Sequence, residues 1–185
     1  MGGTVGIAGS RPQADGRLRV LVVEDLPSDA ELMVLRLEEE GFVTDWQRVQ
    51  SEPEFIAALD SPPDVILSDW KLPRFSGLRA LEIARAVSPE TPFLIVSGNI
   101  GEEAAIEALH RGADDYVLKD RLGRLGPAVR SAMEASRLRT EQRVTQAQLA
   151  TLRMMMAPIS RPARRSAARG RRPRRPRGRS GSTCV

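Results

Sequence analysis

The 185-residue sequence has one cysteine, Cys184, which excludes an internal disulfide framework and a cysteine-based zinc site. Its one histidine, His110, excludes any site that needs two imidazoles and reads as a solvated helix residue. No apolar run approaches the roughly 18 residues of a membrane span. Residues 157–185 lack any acid and any aromatic, and hold ten arginines. Without those ten, 18 basic residues face 24 acidic ones, so residues 1–156 carry a net charge of −6. The positive total of +4 therefore belongs to the C-terminal stretch, and a basic nucleic-acid-binding body is excluded.

The chain divides into four parts by composition. Residues 1–16 are glycine-rich, without hydrophobic periodicity, and read as a disordered leader rather than a signal peptide. Residues 17–137 carry regular patterning. Residues 138–156 continue the last helix without Gly or Pro, and residues 157–185 form an Arg/Pro-rich disordered tail.

Within the patterned part, short apolar runs alternate with amphipathic stretches. Leu18–Val23 reads as a buried strand. Ser28 and Glu31 form a capping-box signature ahead of Ala30, Met33, Val34 and Leu37, and Gly41 ends that helix. Phe42–Val49 is the second strand. Ser51 caps a short helix holding Phe55, Ile56 and Leu59, stopped by Pro62-Pro63. Val65–Ser68 is the third strand, followed by a Pro73–Gly77 turn and a helix carrying Leu78, Leu81 and Ala84. Phe93–Val96 is the fourth strand. The fourth helix covers Glu102–Arg111 with Ile106 and Leu109 inward, and Tyr116–Leu118 is the fifth strand. A fifth helix starts near Leu125–Pro127. Five such units imply an α/β fold: a five-stranded parallel sheet with helices on both faces. In the helical continuation, Ala135, Leu138, Leu149, Leu152 and Met156 fit a heptad broken by Gln142 and Thr145. A homodimer through this helix competes with a solvated extension.

The polar residues fall where ligands gather in such sheets, outside the carboxyl ends of the strands. Glu24 and Asp25 follow strand 1, Asp69 follows strand 3, Ser97 strand 4 and Lys119 strand 5. Three carboxylates in one crevice repel, and a cation relieves that repulsion. Magnesium suits them, because it takes oxygen ligands and keeps several waters. A carboxylate can also act as nucleophile toward phosphorus, and phosphoryl transfer needs positioning and charge neutralisation above all. In a strand order 2-1-3-4-5, Asp69 is central and is the candidate nucleophile, with Glu24 and Asp25 on the metal and Ser97 and Lys119 on the phosphoryl oxygens.

Four segments carry a family resemblance: Val20–Asp25, Leu67–Pro73, Ile95–Gly98 and Gly112–Lys119. In this order and at these separations, the chain resembles the receiver domain of bacterial two-component response regulators, over roughly residues 17–136. The resemblance implies the flavodoxin-like 2-1-3-4-5 sheet and a cytoplasmic signalling switch rather than a turnover enzyme. It implies that Asp69 accepts a phosphoryl group from a histidine kinase or histidine phosphotransfer protein. Asp25, Glu24, Asp69 and the backbone carbonyl of Lys71 would hold Mg2+. Ser97 and Tyr116 would form the switch, Lys119 would pair with the phosphoryl oxygens, and the helix 4–strand 5–helix 5 face would meet a downstream protein. Lys71 and Asn99 flank the site where family members vary in dephosphorylation rate. One departure stands out: Asp120 occupies the place where the family carries proline after the lysine, so a trans Lys119–Asp120 bond is expected.

Two other functions are compatible with parts of the sequence. An aspartate-nucleophile phosphatase or phosphotransferase usually needs a second aspartate two residues after the first, and here that position is Lys71. Nucleic-acid binding through the tail would be electrostatic and non-specific.

Overall fold

The computed structural model describes residues 16–98 and 101–156. The expectations for residues 1–15, for Asn99 and for the arginine-rich tail lie outside the described residues. The element order is β1 (Leu18–Val23), α1 (Pro27–Glu39), β2 (Thr44–Val49), α2 (Glu52–Ala58), β3 (Val65–Ser68), α3 (Gly77–Val87), β4 (Phe93–Ser97), α4 (Glu102–His110), β5 (Asp115–Leu118) and α5 (Leu125–Met156). A short 3-10 segment, Lys119–Arg124, joins β5 to α5.

The five strands form one sheet in the order β2-β1-β3-β4-β5, and every pairing is parallel. The strands' side-chain alternation divides the core into two layers. Val20, Val22, Val65, Leu67, Leu94 and Val96 pack with α1 and α5. Leu21, Val23, Ile66, Phe93 and Ile95 pack with α2, α3 and α4. Both faces are covered, so β3 and β4 are buried throughout and apolar up to their last residues, Ser68 and Ser97, as expected of central parallel strands. The edge strand β2 is mostly exposed and can carry Asp45, Trp46 and Gln47.

Local chemistry moves several boundaries and faces. The capping box at Ser28 does not form, because α1 starts at Pro27, two residues before the start that a Ser28 cap implies. Proline fixes φ and needs no hydrogen-bond partner, so it takes the first helical position and places Ser28 inside the helix. Leu26 is the cap residue, and its N–H donates to Glu24 Oε1 at 3.1 Å. Strand β2 begins at Thr44 rather than Phe42. Phe42 instead packs against the first core layer beneath the Arg130 guanidinium, 4.8 Å above its ring. Ser51 does precede α2, but its side chain makes no capping bond; Glu54 Oε2 accepts from Gln50 N–H at 2.9 Å.

Three expected core residues face solvent. Ile56 of α2 is exposed, leaving Phe55 and Leu59 as that segment's anchors. On α4 the buried residues are Ala105 and Ala108, whereas Ile106 and Leu109 are exposed. The two stripes are adjacent on the helix, and the smaller side chains let it lie close to the sheet. Leu78 on α3 is only half-buried, beside the buried Leu81 and Ala84. His110 is exposed, as its sequence context suggested.

Helix α5 runs unbroken for 32 residues. Leu125, Ala128, Val129 and Ala132 pack into the first core layer, and beyond Ser136 the helix leaves the sheet. Arg139 is paired with Asp114 Oδ1 at 2.8 Å, and Arg143 is paired with Glu90. Ser136 Oγ donates to the backbone carbonyl of Glu90.

Candidate phosphoryl and metal site

The carboxyl ends of β1, β3, β4 and β5 bring the sequence-selected residues together. Parallel register places Val23 beside Ser68 and Ser97 beside Leu118, so the residues that follow these strands share one rim. Carboxylate oxygens of Glu24, Asp25 and Asp69 lie within 4.8 Å of one another. Glu24 is fully buried, Asp69 is 8 % exposed, and Asp25 is half-buried.

The loop backbones are held before any ligand arrives. Asp69 N–H donates to Val23 C=O at 2.9 Å, tying the end of β3 to β1. Arg48 Nη1, from β2, donates to the carbonyls of Glu24 and Asp25 at 2.9 and 3.3 Å. Lys71 N–H donates to Asp69 Oδ1 at 3.3 Å, and Lys71 forms an isolated antiparallel bridge with Ser76. Gly77 sits immediately behind this turn. A Cβ there would lie 2.4 Å from the Asp69 carbonyl oxygen, so only glycine lets α3 start this close to the strand end.

Lys119 is the electrostatic centre. Its ammonium donates to Asp29 Oδ2 at 2.6 Å, to Glu24 Oε2 at 2.7 Å and to Asp69 Oδ2 at 2.9 Å. Burial pulls the lysine's pKa down, but hydrogen bonds to Asp29, Glu24 and Asp69 outweigh it and hold the ammonium above its ordinary range. Burial pushes the Glu24 carboxyl up; bonds from Lys119 and the Leu26 N–H offset this only in part. The Lys119–Asp120 bond is trans, as no cis peptide occurs among the described residues. The chain then enters the 3-10 segment, with non-helical backbone at Arg121.

Ser97 ends β4 and is 2 % exposed. Gly98, next in the chain, would place a Cβ 4.0 Å from Lys119 Cδ, so the lysine stem runs alongside this strand end. Tyr116 pairs with Ile95 in register and is half-buried, packed against the second core layer, as are Trp70 and Leu72. Six of the seven residues selected from sequence thus occupy the strand ends and the turn that follows β3, while Tyr116 lies within β5. Asp29 and Arg48 were missed. Asp29 lies in the first turn of α1, where an acid ordinarily complements the helix dipole, and Arg48 is an unremarkable residue of an edge strand. Neither position carries a sequence signal of contact with a residue 90 or 24 positions away.

The donor set suits a hard divalent cation: three clustered carboxylates, all oxygen donors, at a spacing a single ion can bridge. A sheet of this order, with acids and a lysine at its carboxyl rim, defines a receiver-type α/β domain. Residues 20–130 match the family model for the response regulator receiver domain, and the chain belongs to that family, the receivers of two-component signalling. Among its relatives is the phosphate regulon transcriptional regulatory protein PhoB of Klebsiella pneumoniae, 36 % identical over 106 residues. That match covers 55 % of this chain and 44 % of PhoB, so the chain spans less than half of this relative. The crystal structure of NtrX from Brucella abortus superposes with a TM-score of 0.62 at 29 % identity, covering 70 % of this chain and 29 % of NtrX. The receiver domain of the Francisella response regulator 1452 matches with a TM-score of 0.56 at 29 % identity, over 65 % of this chain and 99 % of that domain.

Proposed function

We propose that residues 17–137 are a phosphorylatable switch in which Asp69 takes a phosphoryl group from the phosphohistidine of a histidine kinase or histidine phosphotransfer protein. An Asp69 oxygen forms the new O–P bond as the N–P bond breaks, and the imidazole leaves with the electron pair. The observation that supports this most is the convergence of Glu24, Asp25, Asp69 and Lys119 at one rim of the sheet. Mg2+, held by Glu24, Asp25, Asp69 and the Lys71 carbonyl, would neutralise charge on the transferring group. Lys119 pairs with a phosphoryl oxygen, the Ser97 hydroxyl binds another, and Tyr116 moves with Ser97 to report the change. The site binds and switches; it is not built for turnover on a diffusible substrate.

The output side of this reading is the α4–β5–α5 face, where exposed Ile106 and Leu109 offer apolar contacts to a downstream protein. Leu138, Leu149 and Leu152 are exposed on the α5 extension at heptad spacing and support a homodimer through residues 138–156. No helix of the described residues is long and apolar enough to cross a membrane, and we place the protein in the cytoplasm with its phosphodonor.

The test is incubation of the full chain with magnesium and acetyl phosphate, read by intact mass. The expected result is a gain of one phosphoryl group in the wild type and none in Asp69→Asn. A gain in both proteins, or in neither, overturns the assignment.

A further inference from the structure

An ammonium has three protons to donate, and all three of Lys119's go to carboxylates. Two of its acceptors, Glu24 and Asp69, belong to the acidic trio; the third, Asp29, does not. A divalent cation bound by the trio would need lone pairs that Lys119 now occupies, and it would repel the ammonium at close range. The lysine therefore has to withdraw from Glu24 and Asp69 for a cation to enter.

Asp29 gives it somewhere to go. It makes the shortest of the three contacts, and it comes from a different element, the first turn of α1. Its side chain is 31 % exposed, while the Lys119 stem is fixed on its other side near Gly98. With Asp29 absent, the carboxylates paired with Lys119 among the described residues are Glu24 and Asp69 alone.

We infer that Asp29 is a positioning residue that keeps hold of the Lys119 ammonium when a cation displaces it from Glu24 and Asp69, so that these two carboxylates can take the metal. The inference rests on the Mg2+ site proposed above. It makes Asp29 act through Lys119 and not as a further metal ligand.

The experiment is calorimetric titration of the full chain with MgCl2 alone, in a double-mutant cycle of Asp29→Asn and Lys119→Met. Asp29→Asn should weaken magnesium binding by about tenfold, the loss typical of removing a group that orients a metal ligand. In the Lys119→Met background the same change should alter affinity by no more than roughly a factor of two, as no ammonium remains to position. Asp29→Glu, which keeps the carboxylate, should restore affinity to within about twofold of wild type. Thermal melts of each variant establish that it is folded. An equal loss in both lysine backgrounds would mean that Asp29 acts by its field or as a direct ligand, and overturns the inference. So would an unchanged affinity in Asp29→Asn. Absence of magnesium binding in the wild type overturns the metal-site reading instead, which separates the two failures.

Discussion

At the scale of single residues, the site stores an electrostatic cost that the fold tolerates. Glu24 is fully buried, and burial raises its pKa by more than Lys119 and the Leu26 N–H lower it. The native state therefore holds the Glu24 proton more tightly than the unfolded chain does. Below the ordinary value of 4.5 both states are protonated and no cost arises. As pH rises through 4.5 toward the folded value, ionisation becomes unfavourable to folding, and the cost grows until pH passes the folded value. Glu24→Gln keeps the shape and removes the charge. In the presence of a chelator at pH 7 it should raise the melting temperature by roughly 2–4 °C, with the advantage vanishing below pH 4.5. Differential scanning calorimetry across that range checks it; a lower melting temperature at pH 7 would show that the Lys119 attraction exceeds the burial cost. The same variant should bind magnesium less tightly, which is the usual exchange between a functional site and stability.

At the scale of elements, α4 shows what periodicity alone can and cannot decide. The pattern Ala105-Ile106-Glu107-Ala108-Leu109 supports two stripes one residue apart, and the larger apolar pair attracts the inward assignment. The structure buries the alanines and exposes Ile106 and Leu109. Ala108→Leu should therefore overpack the second core layer and cost about 1–3 kcal/mol. Ile106→Ala should change stability by less than about 0.5 kcal/mol. Urea midpoints of the two variants discriminate the orientations, and the reverse ranking would restore the inward Ile106. The strands were far more legible, because β1, β3 and β4 are almost wholly buried and their apolar runs give way to polar residues at Glu24, Ser68 and Ser97. Those polar ends also made the site readable, since parallel strands deliver their carboxyl termini to one rim. What lay beyond reach depended on side-chain direction across the fold. Pro27 took the helix start from Ser28 by backbone geometry, and Asp29 reached Lys119 across 90 residues of sequence.

At the scale of the whole molecule, α5 is the element that extends furthest past the sheet among the described residues. At 1.5 Å per residue its 32 residues span about 48 Å, and only its first third is packed against the sheet. Arg139 and Arg143 carry the brace about two turns further through Asp114 and Glu90, and Asp114 is itself held by Arg85 and the Phe93 N–H. Beyond Arg143, Val144, Leu149, Leu152, Met154 and Met155 are 44–80 % exposed, so they add little to the stability of one chain. An exposed helical segment of this length is marginal in water without a partner. A chain ending at Arg143 keeps every one of these braces. It should melt within about 2 °C of the full chain, because a change well under 1 kcal/mol moves the midpoint by no more than that. Sedimentation should differ: the full chain, and a chain ending at Met156, should dimerise with rising concentration, while the chain ending at Arg143 stays monomeric. Comparing the two longer chains isolates the helix from the ten arginines that follow it. If both longer chains remain monomers up to high micromolar concentration, the exposed leucines serve another partner, and the heptad broken at Gln142 and Thr145 is too weak to pair with itself.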